Sequence, residues 1–321
     1  MPFVSSLRTG VSVALQHACV RVVLASQRLL AALFDKLDIR LLIRVASTSR
    51  LAEGLVSTYF GRRLRRFLSL FLADPDAFLS EMDATGAVLS GSFTLPVLLR
   101  HDWMPGDLDI YAPVGTWARV VAYLVNSEDY TVDVPSISSP AYGSYSHIRA
   151  VARLSRPDGQ RIDVVQSHSM SPLTPIAHFW MSAVMNYITP THFCIAYRDM
   201  TCAGRALLAP SRFGGPSATE LTGAEADLMR KYERRGIQFY LSAPADAAYT
   251  CREGGNSPAC ASTKRFFGDH HSLIGKIHST DTSARVDDDP YAVVWWRGGY
   301  GCGGRCKAGD GWRDPTVLTI L

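Results

Sequence analysis

The segment LSGSFTLPVLLRHDWMPGDLDIYAP, from Leu89 to Pro113, decides the fold of the chain. A short apolar strand ends at Gly91 and Ser92, and a second strand carries Asp107 and Asp109. Residues two apart on a strand project from the same face. We therefore expect both carboxylates on one side of a sheet and the apolar residues between them in the core.

A third carboxylate follows in RIDVV, where Asp163 lies in the middle of an apolar strand. Burying an Asp there costs free energy unless it is paired or bound to a metal. If this strand lies beside the strand of Asp107 and Asp109, the three carboxylates converge and can hold Mg²⁺ or Mn²⁺, which prefer oxygen ligands. The alternative is that Asp107 caps a turn and Asp163 is a surface residue of an edge strand.

Gly91 and Ser92 are the candidate phosphate-binding residues. A glycine lets the backbone approach a ligand closely, and Ser92 is expected to begin a helix whose N–H groups and dipole favour a phosphate. Four basic residues are candidate helpers whose positions the sequence does not give: Arg100, Arg149, Arg153 and Lys231.

The pattern of elements predicts an α+β fold with a small mixed sheet and flanking helices. We expect three regions: a helical one over 1–82, a sheet domain over 83–241 and a Cys/Gly-rich region over 242–321. The RPDGQ segment predicts a hairpin. The apolar segment SPLTPIAHFWMSAVMNYI, residues 171–188, predicts a helix that begins near Pro175.

Helix boundaries in the first region follow from capping residues. Asp38 and Ser47 are predicted N-caps, and Asp74 followed by Pro75 predicts the start of another helix.

The composition is that of a globular protein, with 47% hydrophobic and 19% charged residues. The net charge of +4 suits a phosphate-bearing partner without requiring nucleic acid. No apolar run is long enough to span a bilayer, so we expect no membrane partner. Seven cysteines are an odd number for a disulfide framework, which indicates a reducing compartment, the cytoplasm or the nucleus.

The C-terminal region offers a candidate zinc site. Four thiols there could bind Zn²⁺ tetrahedrally: Cys251, Cys260, Cys302 and Cys306. Their spacing is not that of a common zinc knuckle, and the alternative is two pairs of packed cysteines. The nearby YAVVWW segment predicts a buried strand.

Together these residues resemble the polymerase-β-type nucleotidyltransferase superfamily. The resemblance rests on Leu89-Ser90-Gly91-Ser92, on Asp107-Leu108-Asp109 and on Ile162-Asp163-Val164. It is closer still to uncharacterised proteins of mushroom-forming fungi, which share these motifs and a later Met-Asn pair, and it covers about residues 84–200.

The resemblance implies a Mg²⁺- or Mn²⁺-dependent transfer of a nucleotidyl group from an NTP to an unknown acceptor, whether protein, RNA or a small molecule. Asp107 and Asp109 would hold the metal, and Asp163 would activate the acceptor hydroxyl. Members of a superfamily can keep a fold without its activity. The alternative function is therefore an inert binding or adaptor protein.

The helices before the sheet resemble a degenerate F-box, mainly over Leu42 to Leu51. An F-box implies docking to a Skp1-like adaptor, but the Leu-Pro start of that motif is missing. We favour a structural helical cap over adaptor binding. A zinc-stabilised nucleic-acid-binding protein is a third hypothesis, and the mild positive charge argues against it.

Overall fold

The computed structural model describes residues 27–99, 101–133, 147–213, 221–242, 251, 257–277, 292–301 and 311–320. Its helices are α1 (Gln27–Phe34), α2 (Ile39–Ala46), α3 (Arg50–Leu68), α4 (Pro75–Thr85), α5 (Thr94–Leu99), α6 (Trp117–Ser127), α7 (Thr174–Ala177), α8 (Arg198–Cys202), α9 (Pro210–Phe213) and α10 (Gly223–Arg234). Short 3₁₀ turns cover Gly91–Phe93 and Ser182–Val184.

The strands are β1 (Val88–Ser90), β2 (Leu108–Ala112), β3 (Thr131–Val132), β4 (Ile148–Ser155), β5 (Arg161–Ser167), β6 (Asn186–Ile188), β7 (His192–Ile195), β8 (Arg205–Leu207), β9 (Gln238–Tyr240), β10 (Lys264–Phe266), β11 (Leu273–Lys276), β12 (Ala292–Trp296), β13 (Gly299–Tyr300), β14 (Trp312–Arg313) and β15 (Thr316–Ile320).

Eight strands form one mixed sheet in the order β11-β7-β6-β1-β2-β5-β4-β3. Strands β2 and β5 pair in parallel, and the other neighbours pair antiparallel. The predicted mixed sheet with flanking helices is confirmed. Strand β11 belongs to the Cys/Gly-rich region, so that region contributes an edge strand to the central sheet.

Apolar residues cover both faces of this sheet. The first four helices and α6 pack on one face, where Phe60, Phe71 and Ile110 are among the fully buried residues. On the other face a second cluster joins Tyr111 and Val165 to Trp295 of the strand predicted from YAVVWW. Burial on both faces explains why the central strands are nearly continuous apolar runs.

The helix caps agree with the sequence at two of three positions. Asp38 caps α2, and Asp74 caps α4 with Pro75 in its first turn. The prediction for Ser47 is wrong because this residue has helical backbone angles and ends α2. The extended residue Ser49 caps α3 instead, and its Oγ accepts from the Ala52 N–H at 3.1 Å.

The helix predicted to begin near Pro175 does begin there, but it ends at Ala177, so its predicted continuation towards Ile188 is wrong. The segment contains the four-residue helix α7, a 3₁₀ turn and the strand β6. Residues 171–177 and 181–188 are all buried, so buried positions do not alternate with exposed ones. Such a run has no period that separates a helix from a strand, and the pairing of β6 with β1 and β7 decides the outcome.

Strands β4 and β5 form the antiparallel hairpin predicted from RPDGQ, with Ser155 opposite Arg161. None of the described helices has the length and apolar character needed to cross a membrane.

Candidate active site

A row of polar side chains crosses four neighbouring strands of the sheet. Ser90 of β1 is paired with Asp109 of β2, Asp109 is in register with Asp163 of β5, and Asp163 is opposite Arg153 of β4. Paired positions on neighbouring strands project to the same face and lie about 5 Å apart. The parallel pairing of β2 and β5 therefore places two of the predicted carboxylates side by side.

The third predicted carboxylate, Asp107, immediately precedes β2. Asp107, Asp109 and Asp163 are all partly exposed and line the same cavity of about 320 Å³. That volume is at the lower end of the usual range for small-molecule sites, about 300–1,000 Å³. The tertiary structure thus brings together three residues that are separated by up to fifty-six positions in the sequence.

Gly91 lies against Asp109. Its φ is +66°, and a Cβ atom at this position would collide with the Asp109 carboxylate, whose Cγ would be only 3.0 Å away. The glycine is therefore needed for two reasons, the left-handed backbone and the close approach of the carboxylate. We expected this close approach for a phosphate, but its neighbour in the structure is Asp109.

Ser92 lies in the 3₁₀ turn that leads directly into α5. Its backbone N–H donates to Asp109, and its Oγ is buried without a well-formed hydrogen bond to any described residue. The Tyr232 hydroxyl approaches Ser92 without completing normal hydrogen-bond geometry. A buried hydroxyl without a well-formed hydrogen bond is uncommon, and Ser92 is one of the residues that line the cavity.

Asn186, the second residue of the Met-Asn pair, lies on the strand beside β1 and helps to fix this turn. Ser90 Oγ donates to the Asn186 carbonyl oxygen at 2.5 Å, and Asn186 Nδ2 donates to the Ala183 carbonyl oxygen at 2.7 Å. Thr94 Oγ1 donates to the Gly91 carbonyl oxygen at 2.9 Å. These buried contacts hold β1 and the Gly91–Phe93 turn in place.

The carboxylates perturb one another. Burial raises the pKa of Asp109 well above its ordinary value, and the charges of Asp107 and Asp163 raise it further. The Lys231 ammonium and the Ser92 N–H oppose this effect and lower the same pKa. A carboxylate held near two others is destabilised in its charged form, and a bound cation would relieve that cost.

Asp163 has a counter-ion on the neighbouring strand. Arg153 Nε lies 4.0 Å from Asp163 Oδ2, and the two side chains are 40% and 25% exposed. An ion pair this exposed contributes little to stability, about 0–1 kcal/mol. It does, however, place a guanidinium at the end of the polar row.

The four candidate basic helpers have different positions. Arg153 and Lys231 line the cavity, whereas Arg149 is exposed on β4 and does not. Arg100 lies outside the described residues.

Several cavity residues were missed by the sequence analysis. They come from loops and helices far apart in the chain, and they include His147, His178, Phe179, Trp180, Arg212 and Tyr232. Arg212 also forms an ion pair with Glu225 at 2.8 Å. None of these residues belongs to a short motif, and only the tertiary packing identifies them.

The donor chemistry of the cavity fits a divalent cation. Three carboxylates supply hard oxygen ligands, and burial together with the charges of Asp107 and Asp163 raises the pKa of Asp109. Among the described residues, no group of three His, Cys, Asp or Glu side chains converges closely enough to hold a metal ion.

The candidate zinc residues are described only in part. Cys251 is partly exposed and Cys260 is buried, whereas Cys302 and Cys306 lie outside the described residues. A tetrahedral thiolate site stays a prediction.

Comparison with known proteins adds little. No protein-family model matches the chain, and no curated protein matches it. A CCA-adding enzyme in an apo form is similar in structure, with a TM-score of 0.36 and 14% sequence identity over 55% of this chain and 42% of that chain. The chain thus spans less than half of that enzyme, and a similarity at this TM-score carries no argument about function.

Proposed function

We propose that the protein transfers a nucleotidyl group from an NTP to an acceptor hydroxyl and releases pyrophosphate. The observation that carries the proposal is the register of Asp109 with Asp163 on adjacent parallel strands, facing a cavity that Asp107 also lines. Paired carboxylates beside a glycine-containing turn are suited to metal-bound phosphates. The acceptor, whether protein, RNA or a small molecule, is left open.

Each residue has a distinct role in the proposed reaction. Asp107 and Asp109 would hold Mg²⁺ or Mn²⁺, which when bound neutralises phosphate oxygens and orients the triphosphate. Asp163 accepts the proton of the acceptor hydroxyl as its oxygen forms a bond to the α-phosphorus. The bond from the α-phosphorus to the bridging oxygen breaks, and pyrophosphate leaves with that oxygen.

Two neighbouring groups support these steps. Lys231 lies close enough to Asp109 to lower its pKa, and its ammonium can oppose negative charge on the phosphates. The buried Ser92 hydroxyl can donate a hydrogen bond to a phosphate oxygen.

Label transfer tests the proposal directly. The full chain is incubated with Mn²⁺ or Mg²⁺ and each α-³²P-labelled NTP, with RNA or cell extract as the source of acceptor. We expect labelled product, and no product from a γ-labelled NTP because that phosphate leaves with pyrophosphate. Replacing the proposed base in Asp163→Asn should reduce transfer by about 10²- to 10⁴-fold.

The matched control is Asp158→Asn, which removes an exposed carboxylate from the turn between β4 and β5. It should leave transfer unchanged. Absence of metal-dependent NTP binding by the wild-type protein would contradict the proposal. Metal-dependent NTP binding without any transfer would instead support the inert binding protein.

The adaptor hypothesis has its own test. Co-purification of the full chain with a Skp1-like protein would support docking through the F-box-like helices, and its absence would contradict it. Leu42 is buried in the first core cluster, and Tyr59 is also buried there. Such packing is what the structural helical cap requires.

A further inference from the structure

The cavity extends along the strands from the carboxylates to a pair of histidines. The His168 N–H donates to the His147 carbonyl oxygen at 2.9 Å, so His147 lies beside His168. His168 is five positions after Asp163 in the sequence. At about 3.3 Å per strand residue, the carboxylate end and the histidine end of the cavity are therefore roughly 16 Å apart along the sheet. Tyr111 lies between them, two positions beyond Asp109 on β2.

The two histidines form a parallel stack. The ring centroids of His147 and His178 are 3.6 Å apart, and their planes differ by 2°. Both residues line the cavity, His147 being buried and His178 partly exposed. Next to them, Phe179 meets the ring of Tyr111 edge-on at 5.6 Å.

The two imidazoles are uncharged at neutral pH. Burial and, to a smaller extent, the neighbouring His178 lower the pKa of His147 to about 3. Burial lowers the pKa of His178 to about 4. Two protonated imidazoles would repel each other strongly at this separation, and the lowered pKa values keep both rings neutral.

The two ends of the cavity thus have different chemistry. The carboxylate end offers metal ligands, the Lys231 ammonium and the buried Ser92 hydroxyl, all suited to phosphates. The histidine end offers flat neutral aromatic surface, which favours stacking with a planar heterocycle. A nucleotide is a ligand with both parts.

We infer that the His147–His178 stack is the surface on which the base of the bound nucleotide rests while its phosphates lie at the carboxylates. The inference rests on the proposed function, because it takes the phosphate end from that proposal. Every base has a π-face, so stacking of this kind supports binding with little selection among bases.

Comparing a nucleotide with inorganic tripolyphosphate isolates the base from the phosphates. Both are titrated into the full chain with Mn²⁺, the nucleotide as the non-hydrolysable α,β-methylene ATP. We expect His178→Ala to weaken nucleotide binding by about 5- to 150-fold, equivalent to 1–3 kcal/mol. Its affinity for tripolyphosphate should stay within about twofold of wild type, because that ligand has no base to stack.

Two further variants control for damage to the fold. His178→Phe keeps a flat ring and should retain most of the nucleotide affinity. His168→Ala changes an exposed histidine beside the stack and keeps the backbone hydrogen bond to His147, so it should bind both ligands like wild type.

The outcomes separate the two proposals. If His178→Ala binds the nucleotide as wild type does, or loses both ligands equally, the stacking surface is wrong and the phosphate site stands on its own. Equal affinity of the wild-type protein for the nucleotide and for tripolyphosphate would likewise show that the stacking surface is wrong. If the wild-type protein binds neither ligand with Mn²⁺, the proposed function fails, and the stacking surface fails with it.

Discussion

On one face of strands β2 and β5, Leu108, Ile110 and Val164 are fully buried in the core beneath the helices. On the other face, Asp109 and Asp163 of the same strands line a cavity and repel each other. At Asp109 and Asp163, the alternation of the two strands therefore places apolar neighbours in the core and carboxylates in the cavity. Substitutions of these core residues and of these carboxylates should have opposite effects on stability, and this contrast can be tested residue by residue.

The largest expected effect on stability is on the core face. Ile110→Ala should lower the free energy of unfolding by about 2–5 kcal/mol, because it removes buried methyl groups and leaves a cavity. Urea denaturation followed by circular dichroism measures the change. An effect below about 1 kcal/mol would mean that the core face contributes less than its complete burial indicates.

The next largest effect on stability is expected at Gly91, in the turn that follows β1. Gly91→Ala should cost about 1–3 kcal/mol for its left-handed backbone, and additional free energy for the collision with Asp109. Gly86→Ala is the matched control, since Gly86 has nearly the same φ, +67°, but its added Cβ would meet only Pro113 Cγ at 3.6 Å. Equal losses of stability in the two variants would show that Asp109 does not depend on the glycine.

On the cavity face, we expect a substitution to raise the free energy of unfolding rather than lower it. Asp109→Asn should raise the free energy of unfolding at neutral pH by about 0.5–2 kcal/mol, because it removes a repelled carboxylate. The pKa of Asp109 is raised in the folded protein, so its charged form costs stability at high pH. The advantage of the variant should be complete above that raised pKa and vanish as the pH falls towards 3.8, the ordinary value.

Measuring the thermal unfolding of Asp109→Asn and of the wild-type protein between about pH 3 and pH 8 tests this pH dependence. Adding Mn²⁺ should stabilise the wild-type protein more than Asp109→Asn, since the metal relieves the same repulsion. A variant less stable than wild type at neutral pH without metal would contradict this account of the cavity face.

The smallest effect is expected at the edge of the polar row. Arg153→Gln should change stability by less than about 1 kcal/mol, because its ion pair with Asp163 is long and partly exposed. Arg149→Gln, on the same strand but away from the cavity, should change neither stability nor Mn²⁺ affinity. A loss above about 2 kcal/mol for Arg153→Gln would show that Asp163 depends strongly on its counter-ion.

Local patterns in the sequence were sufficient for the central part of the fold. The turn at Gly91, the strand carrying Asp109 and the hairpin before Asp163 all follow from alternation and turn residues. These elements are short, and their signals lie within the elements themselves. The predictions for Ser47 and for residues 171–188 were wrong because neighbours in space decided those positions.

The sequence by itself determined which residues could do chemistry, because an Asp in an apolar strand is costly to bury unless it is paired or bound to a metal. It did not determine that Asp109 and Asp163 would be in register, since pairing between strands depends on contacts between distant segments. It also contained no signal for the His147–His178 stack, whose members come from separate segments of the chain. The tertiary structure decided both, because packing of the whole sheet sets which side chains share one cavity.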